Sequence, residues 1–562
     1  MSECSLSSKP PIKRRTWVQF GTRTLFVLIV LAAIAAWFAR QQVVWEQRRE
    51  ELIATIESSG HSKLSLYPQA KVPWRRQLGA WLRGKPPTAG VDMATLYIND
   101  ESSLLVDFIG AFPNTALNVR LNAKHASPTV LRSLARSKKV RSLDLFGDSF
   151  DTSDESLAQL GKIHVERGVL FNAAQVDDDL LRRSADANVD VLWICDLSFP
   201  EDTFSSRRRP KRVAFTEAST GDSVWGFVTN DGLRTAVKFR KLSWLHAGRK
   251  GGDDGVVAFH GHPAISKVEL AGAGYTDASA ETIASLQQLE SLALVETRFT
   301  DAGIAKAIEK HQLSSLKLAK AKLGDKTIAA LAAKNSLRQV ELHDVPLSPE
   351  LMAALANLPV ESLTLRGDYN DDELSLLAPV APKLVSIELN TPNVTDRGLA
   401  WLGDAGKLQS LNLNDTQAAI PTIKLIATMS PRLNVRLGGP NIDSVVLAEV
   451  SRTLQLRSLH LADPSIDDEA LRALDPTFSL LMLSGTRVTT KGLGALKPSN
   501  TIKVIIFFPE NAAPPLTPQE IVEIKTASAG RVDVTLQGTH PVLFNAGLPN
   551  SSRKSVVEAK NP

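Results

Sequence analysis

The chain has 562 residues, with 65 Lys and Arg against 60 Asp and Glu, 43% hydrophobic residues and two cysteines, Cys4 and Cys195. This balance excludes a wholly disordered or collagen-like chain, and two distant cysteines exclude a disulfide-stapled scaffold or a four-thiolate zinc module. The net charge of +5 is small for this length and gathers near the amino terminus, which argues against a nucleic-acid partner and for a membrane topology.

Residues 1–23 form a basic tail carrying Lys9, Lys13, Arg14, Arg15 and Arg23. Sixteen uncharged residues come next, Thr24 to Ala39, which is short against the roughly 20 residues a bilayer span needs. Snorkelling of Arg40 and an interfacial turn through Val43, Val44 and Trp45 complete a membrane helix over 24–45, with the amino terminus cytoplasmic by the excess of basic residues before it. A cleaved export signal is the competing reading; Trp37, Phe38 and Arg40 stand where small residues would be expected. Either way the rest is exported, and Cys195, at the end of an apolar strand pattern, is expected as a packed core thiol.

Residues 46–90 read as a juxtamembrane helix and a connector. Within it, Val72 to Gly84 sets Trp74, Leu78, Trp81 and Leu82 on one helical face, suited to the membrane surface or to capping the first repeat unit. From about residue 91 the pattern LxxLxL recurs. Degenerate copies start at Met93, Ala116, Val140, Val189 and Arg234, over 91–264. Regular copies occupy 265–507, starting at Ile265, Leu289, Leu313, Leu337, Val360, Leu384, Leu408, Arg432, Leu456, Phe478 and Ile502, with spacings of 22 to 24.

Apolar residues two apart at the end of each copy predict a strand with one buried face. About eleven residues after each start stands a residue suited to cap a helix: Thr276, Thr300, Ser348, Asp371, Thr395, Asp443, Asp467 or Thr489. Gly324 and Ala419 break this rule. Helical spacing comes after each cap, as in Ile304 with Ile308. A unit this small cannot bury its own apolar face, so units must stack on a shared core. Residues 508–540 are expected as a carboxyl-terminal cap, with a last strand near Gly530, and 541–562 as a flexible tail.

These units resemble the leucine-rich-repeat family in the variant with a TDxGL helix start, carried by Thr300 to Ile304 and Thr395 to Leu399. The resemblance implies an α/β solenoid, curved, with parallel strands on the concave face and helices on the convex face. With the preceding apolar span it resembles bacterial membrane-anchored members of the family, and it implies a recognition protein, not an enzyme.

The residues pointing out of the strands define the expected binding face. A small polar column runs from Ser291 through Ser315 to Ser458, the filler a crowded face wants. Its neighbour holds Lys317, Glu341, Glu388, Asn412, Arg436 and His460, the expected partner contacts, since charges on a rigid surface give specificity. At the carboxyl end the columns turn apolar, with Leu480, Met482, Val504 and Ile506 outward, either covered by residues 508–539 or open to a partner. Other features carry less. RRRPKR at 207–212 is a solvated loop, His260 and His262 lack further metal ligands, and the glycine-rich run 248–255 is a flexible insertion. No cofactor, metal or catalytic motif is expected. The partner is a protein or envelope polymer, bound by a membrane-tethered, extracytoplasmic solenoid. The alternative is a self-associating envelope scaffold without a separate ligand.

Overall fold

A computed structural model describes residues 22–58, 63–68, 91–98 and most of 102–539. The breaks in that last stretch are 113–114, 138, 147–152, 167, 173–176, 190, 196–227, 429–432, 455, 477, 497, 499–500 and 510–514. The basic tail, the Trp-containing connector, RRRPKR and the carboxyl tail therefore lie outside the described residues.

Among the described residues, nineteen strands form one sheet: β1 (Lys63–Pro68), β2 (Val91–Ile98), β3 (Ala116–Asn122), β4 (Val140–Phe146), β5 (Val169–Asn172), β6 (Val191–Cys195), β7 (Trp244–Ala247), β8 (Lys267–Ala271), β9 (Ser291–Val295), β10 (Ser315–Ala319), β11 (Gln339–His343), β12 (Ser362–Arg366), β13 (Ser386–Asn390), β14 (Ser410–Asn414), β15 (Leu433–Leu437), β16 (Leu456–Leu461), β17 (Leu480–Ser484), β18 (Ile502–Pro509) and β19 (Val532–Thr539). Each pairs with its sequence neighbours. All pairs are parallel except β1 with β2. From β2 onward, helices and 3-10 turns connect successive strands and stack on one another, and the apolar sides of the strands share a continuous core with them. Leu292, Leu316, Val340, Leu363, Ile387 and Leu411 form one inward column, none more than 4% exposed. Each such side chain contributes about 1.5–3 kcal/mol.

The two residues that broke the capping rule show how the units interlock. In several units a Thr caps its own helix, as Thr300 does by accepting from the Gly303 amide at 3.3 Å. The Asp after that cap serves the next unit: Asp277 accepts from Thr300 N at 2.8 Å and Oγ1 at 2.5 Å, and Asp371 and Asp468 do the same for Thr395 and Thr489. Where the next unit has no capping side chain, the Asp takes over its helix. Asp301 accepts from the amides of Gly324, Lys326 and Thr327 at 2.8, 3.1 and 2.9 Å, and Asp396 holds Ala419 N, Thr422 N and Thr422 Oγ1. The same geometry explains the glycine of TDxGL, because a Cβ on Gly303 would overlap the Asp277 carboxylate. Asp371 is thus not the cap of its own helix. Asn370 is, in a reciprocal pair with Glu373.

Several expectations are corrected. Residues 234–239 are no strand: Leu233, Ala236 and Phe239 are the buried face of the helix Asn230–Ala236 and its exit turn, and the strand of that unit is β7. The glycine-rich run 248–255 is packed, with Tyr275 Oη donating to the Gly248 carbonyl at 2.8 Å and Asp253 holding Thr276. After Thr395 the chain makes turns and a 3-10 helix, Ala400–Asp404, instead of an α-helix. The sheet also begins before residue 91, at β1.

At the amino end, one helix of 37 residues, Thr22–Ser58, contains the apolar run. Its carboxyl half docks on the first unit: Arg49 Nε donates to the Ala111 carbonyl at 2.9 Å, its guanidinium lies 5.4 Å from the Phe112 ring centre, and Leu52 is buried. Among the described residues, no helix is long and apolar enough to cross a membrane. The sixteen uncharged residues span about 24 Å, against a hydrocarbon core of about 30 Å.

Candidate ligand-binding strand face

Parallel register brings the expected contacts into one column. Lys317 is level with Glu341, Glu341 with Thr364, Thr364 with Glu388, Glu388 with Asn412, Asn412 with Arg436 and Arg436 with His460. Two residues further along each strand runs a third column, which the LxxLxL pattern does not include: His343, Arg366, Asn390 and Asn414. Its only sequence signal is polarity one residue past the last leucine of each copy.

Most of these charges are committed to one another. Lys317 Nζ stands 3.6 Å from both Glu269 and Glu341, His343 Nε2 is 2.6 Å from Glu341 Oε1, and Arg366 donates to Glu388 at 2.7 Å. Burial works against the Glu341 charge, but His343, Lys317 and Arg366 outweigh it and hold its pKa at about 2. Asn412 accepts from the Asn414 amide at 3.1 Å. His460 lies 2.8 Å from Ser484 Oγ with its ring 5.8 Å from Phe507, and burial, aided by Arg436, pushes its pKa down to about 3. That serine and histidine make no catalytic pair: so weak a base takes no proton near neutral pH, and the serine is buried.

Arg436 differs. It is half-buried on the strand face, its Nε is enclosed, and the guanidinium has no hydrogen-bond or ion-pair partner among the described residues. Burial lowers its pKa, partly offset by Glu388 and Asp415 nearby.

The apolar end of the face is shifted by one residue from expectation. Leu481 pairs with Val504, so Val504 is wholly buried and Ile506 packs against the core, while Lys503, Ile505 and Phe507 take the outward register beside Leu480 and Met482. A one-residue slip exchanges the two faces of a strand. The described residues 515–539 do not fold over this end. The helix Pro518–Ala527 stacks on the helix Thr490–Ala495 and β19 continues the sheet, making one more unit. Cys195 lies in β6 at the register of His246 in β7. His262 is buried against Phe259 and His260 is exposed, and no group of metal-ligating residues occurs among the described residues.

A parallel sheet built of strand, turn and helix units of about 24 residues is the leucine-rich-repeat architecture. No protein-family model and no curated protein matches this chain. Among solved structures it is similar to an internalin from Listeria monocytogenes, at 17% identity over 66% of this chain and 88% of that one, with a TM-score of 0.31. It is similar to TLR13 in complex with ssRNA13, at 12% identity over 77% and 58% of the two chains, TM-score 0.33. It is also similar to the leucine-rich-repeat ectodomain of the Arabidopsis thaliana receptor kinase GASSHO1/SCHENGEN3, at 12% identity over 78% and 55%, TM-score 0.27.

Proposed function

We propose that this chain is a non-enzymatic recognition protein, tethered to a membrane by its amino-terminal helix, that binds a protein or envelope polymer through the outward columns of its strands. The observation that carries the reading is the pre-ordered charge ribbon from Glu269 to Glu388. Its side chains are fixed by pairs that cross from unit to unit, so binding a complementary surface costs little side-chain ordering. Lys317, Glu341, Glu388, Asn412, Arg436 and His460 are the proposed contacts. The TDxGL helix starts support a place in the short-repeat variant of the architecture. Tethering is supported by the exposed apolar side chains Ile34 and Trp37 in the half of the helix that does not dock on the first unit.

Immobilised full-length chain should retain a partner from an envelope extract, and Lys317→Ala/Glu341→Ala/Glu388→Ala/Arg436→Ala with unchanged circular dichroism should lose it. Equal retention by both chains removes the strand face from the reading, and retention of only the chain itself favours the self-associating scaffold. For the tether, full-length chain should float with phospholipid vesicles and a chain lacking residues 1–40 should not; sedimentation of both sinks that part.

A further inference from the structure

In the charge column from Lys317 to His460, Arg436 is a cation without a hydrogen-bond or ion-pair partner among the described residues. Arg366 is occupied by Glu388, and Lys317 stands between Glu269 and Glu341. Arg436 has five N–H donors, an enclosed Nε and no partner among the described residues. The two acids nearest in charge effect are engaged elsewhere: Glu388 with Arg366, and Asp415 with the side-chain amide of Asn414 at 3.2 Å. A ligand that covers this face removes the remaining water from the guanidinium, and a desolvated guanidinium without an anion is strongly unfavourable. The ligand must therefore supply a carboxylate or phosphate.

What lies beside Arg436 narrows the class. Past His460 the outward register turns to Leu480, Met482 and Ile505, half-buried and not covered by the described residues of the last unit. Met482 is two strands from Arg436 and Ile505 three, or about 10 and 14 Å at the usual strand spacing. An extended polypeptide places side chains on one side at these distances: three residues of polyproline II span about 9 Å, and four of a β-strand about 13 Å. A glycan would want an aromatic platform. The charge column from Lys317 to Arg436 has none, and Phe507 already lies against His460. A nucleic acid would want an excess of cations, and Glu269, Glu341 and Glu388 offset Lys317, Arg366 and Arg436. We infer that the face binds an extended peptide segment with an acidic side chain seated on Arg436 and an apolar side chain, three or four residues away, seated on Met482 and Ile505. This rests on strand-face recognition and names its ligand class.

The test is selection of a random twelve-residue displayed peptide library on immobilised full-length chain. Enriched peptides should pair an Asp or Glu with an apolar residue three or four positions away. Arg436→Gln, which keeps the side-chain length, should weaken them at least tenfold, as should Met482→Asp. Both variants are checked for an unchanged melting curve, and Arg436→Lys should restore part of the binding. Enriched peptides without an acid, or equal binding to Arg436→Gln, overturn the anchor while leaving face recognition intact. No enrichment, with a partner still retained from the extract, overturns the peptide class alone. If both experiments return nothing, the inference and the reading beneath it fall together.

Discussion

Asp301→Ala removes three hydrogen bonds at once from the helix Asp325–Ala332, whose cap position, Gly324, has no side chain to replace them. A hydrogen bond to a charged group is worth about 1.5–3 kcal/mol and a lost cap about 1 kcal/mol. The site is half-exposed and water recovers part of this, leaving a local cost of about 2–4 kcal/mol. At 1.4 kcal/mol per factor of ten, the amides of Gly324, Lys326 and Thr327 should exchange with deuterium about 30- to 800-fold faster. Asp325→Ala is the control, since Asp325 is exposed and accepts from none of these amides. Burial disfavours the Asp301 carboxylate, but the side chain and amide of Thr327 and the amides of Gly324 and Lys326 lower its pKa, so the effect should persist at mildly acid pH. Exchange in Asp301→Ala within threefold of that in Asp325→Ala would refute capping across units.

Three further outcomes are expected. Gly303→Ala should destabilise by about 1–3 kcal/mol in urea denaturation, whereas Gly110→Ala, whose Cβ meets nothing within 4 Å, should be neutral or stabilising by up to about 1 kcal/mol. Lys334→Ala should cost about 1–3 kcal/mol, because the buried ammonium donates to the Glu309 carbonyl at 2.5 Å and its loss leaves that carbonyl without this donor. Stability should fall as pH drops below 6.5: His460, held neutral down to about 3, binds no proton in the folded state where the unfolded chain does, a loss of about 2 kcal/mol between pH 6.5 and 5. His246, His262 and His311 are shifted the same way by burial, and Glu341 adds its loss between about 4.5 and 2. His460→Gln should show a shallower decline of the urea midpoint with pH, and a slope equal to that of the parent would count against the buried neutral histidine.

The regular units were legible because a strand period of two and a repeat of about 24 reinforce each other. The failures have local causes. Leu233, Ala236 and Phe239 sit three apart, which suits a helix, but Ala236, Val237 and Phe239 also mimic the end of the strand pattern. At β18 a run of apolar residues, Ile502 to Phe508, offers two registers one residue apart, and pattern alone cannot choose between them. The candidate contacts were found as a column, but their mutual pairing was not, because it depends on side-chain reach between strands. It is this pairing that singles out Arg436. Capping across units was hidden for a different reason: donor and acceptor stand 21 residues or more apart, beyond any local motif, although an Asp recurs directly after the cap residue, as Asp277, Asp301 and Asp468 do.

The interlocking Asp residues also give the array a direction. Each one reaches forward, so a unit removed from the carboxyl end takes no acceptor away from those that remain, while a unit removed from the amino end strips one from its successor. Truncations should therefore be better tolerated from the carboxyl end. During synthesis the same polarity means that the helix starts at Thr300, Gly324, Thr395, Ala419 and Thr489 find their acceptor already in place on the unit before them, and there the growing edge acts as a template for its own extension.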